Sequence, residues 1–398
     1  MIHSIARILQ LVTILGCASS SIYYLICLWS ASAFLRERKA GAGSGSASNC
    51  TPVTILKPLK GADPDMYESF RTHCVQDYPE YEIIFGVSDA NDPAIASVRK
   101  LQSEFPDRRI ELVVSPNILG ANVKVSNLAQ MLREARYEYL IVNDSDIRVE
   151  RDYLRRVVAP LVDSAVGMVT CLYRGVAAAT LGSHLESLGI STDFCPGVLV
   201  AQKLERGIHF GLGSTLAFRR ADLERAGGFS SFVDFLADDY ELGARISALG
   251  LQVALSDVVV ETHLPAYNLR GFLSHQLRWA RGVRDARAGG YVGLVFTFGL
   301  LWGLLNLVTA HAAPWSWAAL GAVFLLRLAV ALSVGRAVLQ DRQLIPQLWL
   351  LPLRDLVAAA VWIASFAGHT VRWRGDRFRL QKGKLVRIAA KPRSDVSS

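Results

Sequence analysis

From Ile8 to Leu35 the chain is apolar apart from Gln10 and a few Ser and Thr. Crossing a bilayer takes about 20 such residues, and a cleaved signal has a shorter apolar core. Ile14-Leu-Gly-Cys17 faintly matches a lipoprotein cleavage site, but the run continues far beyond Cys17, so it is read as a membrane anchor. Arg36-Glu-Arg-Lys39 then marks its cytoplasmic end and sets the N-terminus outside. Three further apolar blocks lie at about 291–312, 315–338 and 346–370. The second contains Arg327 and the third Arg354, Asp355 and His369. A central Arg or Asp costs about 2.5–3.5 kcal/mol on insertion scales, unless it faces protein or headgroups. One span before a soluble domain and three after it put the C-terminus outside, whereas the basic residues from Arg372 to Arg393 argue for inside. Either one block is re-entrant or interfacial, or the charge rule fails here.

The 398 residues are 51% hydrophobic and 20% charged, which fits one soluble domain plus membrane spans. The net charge of +8 is carried by basic residues flanking apolar segments. It points to the lipid bilayer as a partner, and no nucleic acid is expected. The six cysteines form no Cys-x-x-Cys pair, so neither a zinc site nor a disulfide framework is indicated, and a reducing compartment fits. The organisation expected is an anchor at 1–39, a Gly/Ser/Ala-rich linker at 40–50 and a catalytic domain at 51–267. A basic amphipathic interface helix at 268–288, membrane helices at 289–371 and a basic tail at 372–398 complete it.

Within 51–267, strands are expected at Val53–Leu56, Tyr81–Val87, Ile110–Val114, Leu140–Val142, Val166–Leu172, Leu216–Phe218 and Val253–Val260. Helical spacing covers Asp65–Cys74, Pro93–Phe105, Asn122–Ala135 and Ala177–Ile190, and the stretch from Phe235 to Gly243 opens a further helix with acids in its first turn. This alternation predicts an α/β fold with a mainly parallel sheet and right-handed crossovers. Ligands of such sheets bind beyond the carboxyl ends of the strands, where Asp89, Asp92, Asp144 and Asp146 fall.

Around the fourth strand, an apolar run stops at Asp144-Ser145-Asp146. Side chains at i and i+2 point the same way on an extended chain, and two carboxylates that close are unfavourable unless a cation sits between them. A hard divalent ion shared with diphosphate oxygens satisfies that arrangement. An Asx-type turn leading into a helix near Tyr153 fits the triplet as well. Asp238 and Asp239 open a helix, where acids are favoured by the dipole whatever their function. Asp89 has a second reading as the cap of the helix after Pro93. Arg278-Trp279 has one as an interfacial anchor.

The ordered set resembles the GT-A (Rossmann-like) glycosyltransferases of the large inverting membrane class, and more narrowly the ceramide glucosyltransferase family with its bacterial, hopanoid-associated members. The stretches that carry the likeness are Ile55-Leu-Lys-Pro-Leu-Lys-Gly-Ala-Asp63, Asp77-Tyr-Pro, Asp89-Ala-Asn-Asp-Pro-Ala-Ile95 and Asn122-Val-Lys-Val-Ser-Asn-Leu128, then Asp144-Ser-Asp-Ile-Arg-Val149, Ala226-Gly-Gly228, Ala237-Asp-Asp-Tyr240 and Arg278-Trp279. The resemblance implies that Asp92, with Asp89 beside it, holds the uridine side of a UDP-sugar. It implies that Asp144 and Asp146 bind a divalent metal (Mg or Mn), that Asp239 is the base, and that Lys124, Arg278 and Trp279 contact the donor. The family's closing motif is Gln or Arg, then two residues, then Arg-Trp. Here the first position is His275, with Gln276 one place late, so no role is placed on it. The expected reaction moves glucose or N-acetylglucosamine to the hydroxyl of a membrane lipid, ceramide or a hopanoid polyol, at the cytoplasmic face of a bacterial inner membrane. A polyprenyl-phosphate sugar transferase or a processive polysaccharide synthase shares much of the acid set and is the alternative.

Overall fold

The structure, a computed structural model, describes residues 2–41, 50–373 and 376–388. The linker expected at 40–50 lies largely outside them, as does the end of the basic tail. Eight strands make the main sheet: β1 (Val53–Pro58), β2 (Tyr81–Val87), β3 (Ile110–Val114), β4 (Tyr139–Val142), β5 (Ile147–Arg148), β6 (Val166–Val176), β7 (Leu216–Arg219) and β8 (Gln252–His263). Their order is β3-β2-β1-β4-β7-β6-β8-β5. The half up to β4 is parallel. β7 then pairs antiparallel to both β4 and β6, and β5 antiparallel to β8. The sheet is therefore mixed, with β6 and β8 parallel again.

Every residue of β1 and β2 is buried, as expected for strands covered on both faces. Period-two alternation divides them between two cores. Ile55, Ile83, Phe85 and Ile141 face Phe70, Val98 and Tyr153. Leu56, Ile84, Leu140 and Val142 face Val125, Leu128, Met131 and Phe218.

A helix from Ile2 to Gly41 precedes the sheet. Among the described residues three helices are long and apolar enough to cross a membrane: Ser4–Ala40, Pro314–Val338 and Leu344–Ser365. A fourth candidate, Ala288–Thr297 with Gly299–Thr309, is bent by 53°. Its far end reaches the first helix at Thr13, which bonds Asn306 and Thr309. The next helix returns alongside, and Arg38 donates to the carbonyls of Ala337 and Val338. Arg327 lies buried within it, held by Asp193, Asp355 and the carbonyl of Thr192, so its charge is met by protein. The third block behaves differently. Gln347 at its start bonds His184, and Ser365 at its end accepts from Arg284 and Tyr291. It lies along the helices Leu181–Gly189 and Leu269–Ala286.

The described residues from 370 to 387 form strands where a tail was expected from 372. β9 (Thr370–Trp373), β10 (Asp376–Gln381) and β11 (Lys384–Arg387) form an antiparallel sheet. Val371, Phe378, Leu380 and Leu385 turn inward against Ala121 and Leu236 of the catalytic domain.

Candidate active site

The site is built where β1, β2 and β4 end. Buried Asn143, just past β4, donates to the Tyr153 hydroxyl at 2.9 Å, to the Ser214 carbonyl at 2.7 Å and to Thr215 Oγ1 at 3.2 Å. These bonds fix the point at which the chain leaves the sheet. Asp144–Ile147 is then a turn, not a continued strand. Asp144 and Asp146 therefore converge through the turn, although the extended-chain argument placed them together for a different reason. Asp146 accepts from Thr262 Oγ1 at 2.5 Å. Burial, followed by the charge of Asp144, pushes its carboxyl up to about 6. Ser145 Oγ donates to Asp63.

Lys124 Nζ, on the helix Val123–Met131, stands 2.8 Å from Asp144 Oδ1 and 3.2 Å from Asp238 Oδ2. Burial opposes its charge, but Asp144, Asp238 and Asp239 outweigh that and raise its pKa, so it stays cationic. The helix begins at Asn122, whose Oδ1 accepts from the Val125 N–H and whose amide donates to Asp238 Oδ1. That cap ties the lysine to the opposite acids.

Asp239 opens the helix Asp238–Ala248. Its Oδ1 accepts from the Tyr240 N–H and its Oδ2 from the Gly213 N–H, each at 2.8 Å. Burial and then Asp238 raise the carboxyl to about 6, against the lowering pull of Lys124. A Cβ on Gly213 would sit 3.0 Å from Asp144 Oδ2 and 3.2 Å from Asp239 Oδ2. The two carboxylates thus face each other across one backbone position. The loop holding Gly213 is pinned because the Leu212 N–H donates to Thr170 Oγ1 and that hydroxyl donates to the Thr215 carbonyl.

The helix Leu269–Ala286 closes the other wall. Trp279 packs edge-on to Phe194 at 5.8 Å, and Phe194 meets Tyr173 at 5.3 Å. The Tyr173 hydroxyl is raised by burial and by Cys195, Glu186, Asp239 and Asp144. The Tyr267 hydroxyl, pushed up to about 12 by burial and Glu186, feels Arg278 in one direction and Asp146 and Asp63 in the other. Asp144 and Asp239 thus lie within electrostatic reach of the Tyr173 hydroxyl, and Asp146 and Arg278 within reach of the Tyr267 hydroxyl. His275 sits 3.4 Å from buried Glu186, stacked on Tyr267 and tilted against Trp279. Gln276 donates to the same carboxylate at 2.7 Å.

Asp89 and Asp92 lie at the same sheet edge, two strands from Asp144. Asp92 accepts from the Gly61 and Ala94 N–H groups, and exposed Asp89 from the Asn91 N–H. The helix after Pro93 is thus steadied by Asp92, not by Asp89. Two site residues had no assigned role in the sequence reading. Lys57, wholly buried on β1, donates to the Asp144 carbonyl at 3.0 Å, and burial lowers its pKa to about 7 despite Asp146 and Asp144. Asp63 is the other. A lysine inside an apolar strand was the available signal.

The donor set suits a hard divalent ion. Asp144 and Asp146 supply carboxylate oxygens, and the Asp146 acid, raised first by burial and then by Asp144, carries a charge that a cation would offset. Among the described residues no three His, Cys, Asp or Glu converge on a ready-made metal site. Two protein carboxylates completed by substrate phosphates is the usual arrangement for Mg²⁺.

With the geometry in place, the comparisons are decisive about family. Ceramide glucosyltransferase 3 of Caenorhabditis elegans is 23% identical over 85% of this chain and 75% of its own. The ceramide glucosyltransferase of Komagataella phaffii is 39% identical over 27% of this chain and 22% of its own. Among solved structures, a mannosyltransferase from Pyrobaculum calidifontis, in complex with GDP-Man and Mn2+, superposes with a TM-score of 0.53 at 22% identity. It covers 89% of this chain and 99% of its own, a likeness of fold. Residues 12–386 match the model of Glycosyl transferase family 21. The chain belongs to that family, a glycosyltransferase among the ceramide glucosyltransferases.

Proposed function

We propose that the protein transfers glucose or N-acetylglucosamine from a UDP-sugar to a lipid hydroxyl, ceramide or a hopanoid polyol, with inversion at the anomeric carbon. The observation that carries this reading is the pairing of Asp144 and Asp239 across Gly213, with Lys124 bridging Asp144 to Asp238, in a domain packed on apolar helices. The uridine side of the donor lies along Asp89 and Asp92, and its diphosphate over Asp144 within reach of Lys124 and Arg278. Arg presents a planar fork suited to phosphate. A divalent metal held by Asp144 and Asp146 supplies counter-charge as the diphosphate leaves.

Asp239 removes the proton of the attacking hydroxyl. Each of its oxygens already accepts one backbone N–H, which leaves acceptor capacity on the carboxylate and holds its plane. With a pKa of about 6 it is ionised at neutral pH yet more basic than an ordinary aspartate, which favours proton removal. A single displacement with a single base inverts the sugar carbon. Trp279 closes the wall beside the helices from which a lipid acceptor would enter, with the domain on the cytoplasmic side.

Incubating membranes with labelled UDP-glucose or UDP-N-acetylglucosamine and identifying the lipid by mass tests the assignment. An alkali-stable neutral glycolipid supports it; a polyprenyl-linked sugar or a polymer replaces it with the alternatives. Near wild-type transfer by folded Asp239→Asn protein would remove the base from the scheme.

A further inference from the structure

We propose that the hairpin of β10 and β11 is a positioning element for the transfer reaction, holding the base loop and the Arg-Trp helix in register. This rests on the reading of Asp239 as the base. The hairpin turns through Lys382 and Gly383, with φ of +50° and +80°, a two-residue turn with both central residues in the left-handed region. Its tip is built into the catalytic domain. The Leu236 N–H donates to the Gly383 carbonyl at 3.0 Å and the Leu385 N–H to the Asp234 carbonyl at 2.7 Å. Phe235 and Lys384 form an antiparallel bridge, with the lysine Nζ 5.3 Å from the ring centroid. The segment so gripped ends two residues before Asp238.

On its other side the same segment is held by the start of the lysine helix. The Asn122 N–H donates to the Val233 carbonyl at 2.6 Å, the Ala121 N–H to Asp234 Oδ1 at 2.9 Å, and the Asn122 amide to the Phe235 carbonyl at 2.8 Å. The hairpin also reaches the helix that carries Arg278, because the Gly383 N–H donates to Asp285. Arg281 and Arg284 of that helix bond the carbonyls of Ala367, Gly368 and Thr370 just before and within β9. Three parts of the site, namely the lysine helix, the base loop and the Arg-Trp helix, thus meet at one clasp. Asp285 and Gly383 are not among the groups proposed to contact the donor, so the clasp acts on turnover through geometry and not through those contacts.

The test uses the full-length enzyme in detergent micelles. Gly383→Pro removes the donor to Asp285 and forbids the positive φ, and Asp285→Ala deletes the acceptor while leaving the turn intact. Both are expected to lower kcat about 10- to 100-fold, the scale of an ångström-level displacement, with KM for the UDP-sugar and UDP binding unchanged. In the Asp285→Ala background, Phe235→Cys with Lys384→Cys should form a disulfide that restores kcat, and dithiothreitol should abolish the rescue. Wild-type kcat in Asp285→Ala, no cross-link, or a cross-link without rescue would each overturn the proposal. Failure of the base reading shows itself separately, as transfer by Asp239→Asn protein in which the cross-link still forms.

Discussion

Adding one methyl group at Gly213 probes whether Asp144 and Asp239 share the reaction centre. Gly213 has no positive φ, so alanine introduces no backbone strain, and its N–H remains to donate to Asp239. The new Cβ would stand 3.0 Å from Asp144 Oδ2 and 3.2 Å from Asp239 Oδ2, where ordinary contact begins at 3.4 Å. One carboxylate must therefore retreat by about 0.4 Å and the other by about 0.2 Å, scaled on the rule that an ångström of misplacement costs about 10²-fold. The first shift alone then lowers kcat about 6-fold and both together about 16-fold, or roughly 1–2 kcal/mol of activation free energy. Initial rates with labelled donor, alongside thermal unfolding to show an unchanged fold, measure this. A Gly213→Ala enzyme with wild-type kcat would refute the argument that the two acids frame one reacting centre.

Other outcomes follow from the same geometry. Asp239 must be ionised to accept a proton, and its carboxyl is raised to about 6. The rate of the chemical step is therefore full above that pH and falls about tenfold per unit below it; a pH profile flat down to 4 would contradict the assignment. Asp146 is also raised to about 6, from 3.8. The folded, metal-free protein thus holds that proton more tightly than the unfolded chain, and its stability rises as pH falls through 6 towards 4. Asp146→Asn should stabilise the metal-free protein at pH 7 by roughly 1–3 kcal/mol in thermal unfolding, while abolishing transfer. Chelation should stop transfer by the native enzyme, and Mg²⁺ or Mn²⁺ should restore it. Arg327→Leu leaves Asp193 and Asp355 without their cation and should cost about 3–5 kcal/mol, read as a lower unfolding midpoint in detergent.

The parallel half of the sheet was legible because its strands are short apolar runs bounded by turn residues; β2 and β3 have the bounds their sequence predicts. The antiparallel placement of β5 and β7 was not, because strand order is set by contacts distant in sequence. The helix Cys195–Leu204 was missed where the helix before it continues through a π-turn at Ile190–Phe194. The small β9–β11 sheet was hidden by charge. Phe378 and Leu380 alternate inward, but the arginines between them read as a solvated tail. The acids were recognisable as strand-end residues, whereas Lys57 was not, since only the assembled sheet brings its amine to the Asp144 carbonyl and over the Phe70 ring.

The β9–β11 sheet also constrains how the chain can lie in lipid. Strands sewn to Asp234 and Leu236 must be on the same side of the bilayer as the catalytic domain, so the path between Ala286 and Thr370 makes an even number of crossings. The bent helix and its returning neighbour account for two. The block from Leu344 to Ser365, tied to His184 at its start and Arg284 at its end, is then expected to lie along the surface. An impermeant thiol reagent should label Cys introduced at Lys382 and at exposed Glu68 from the same side. The conflict between span count and basic residues then dissolves: the positive charge sits on the catalytic face because a small sheet moors it there.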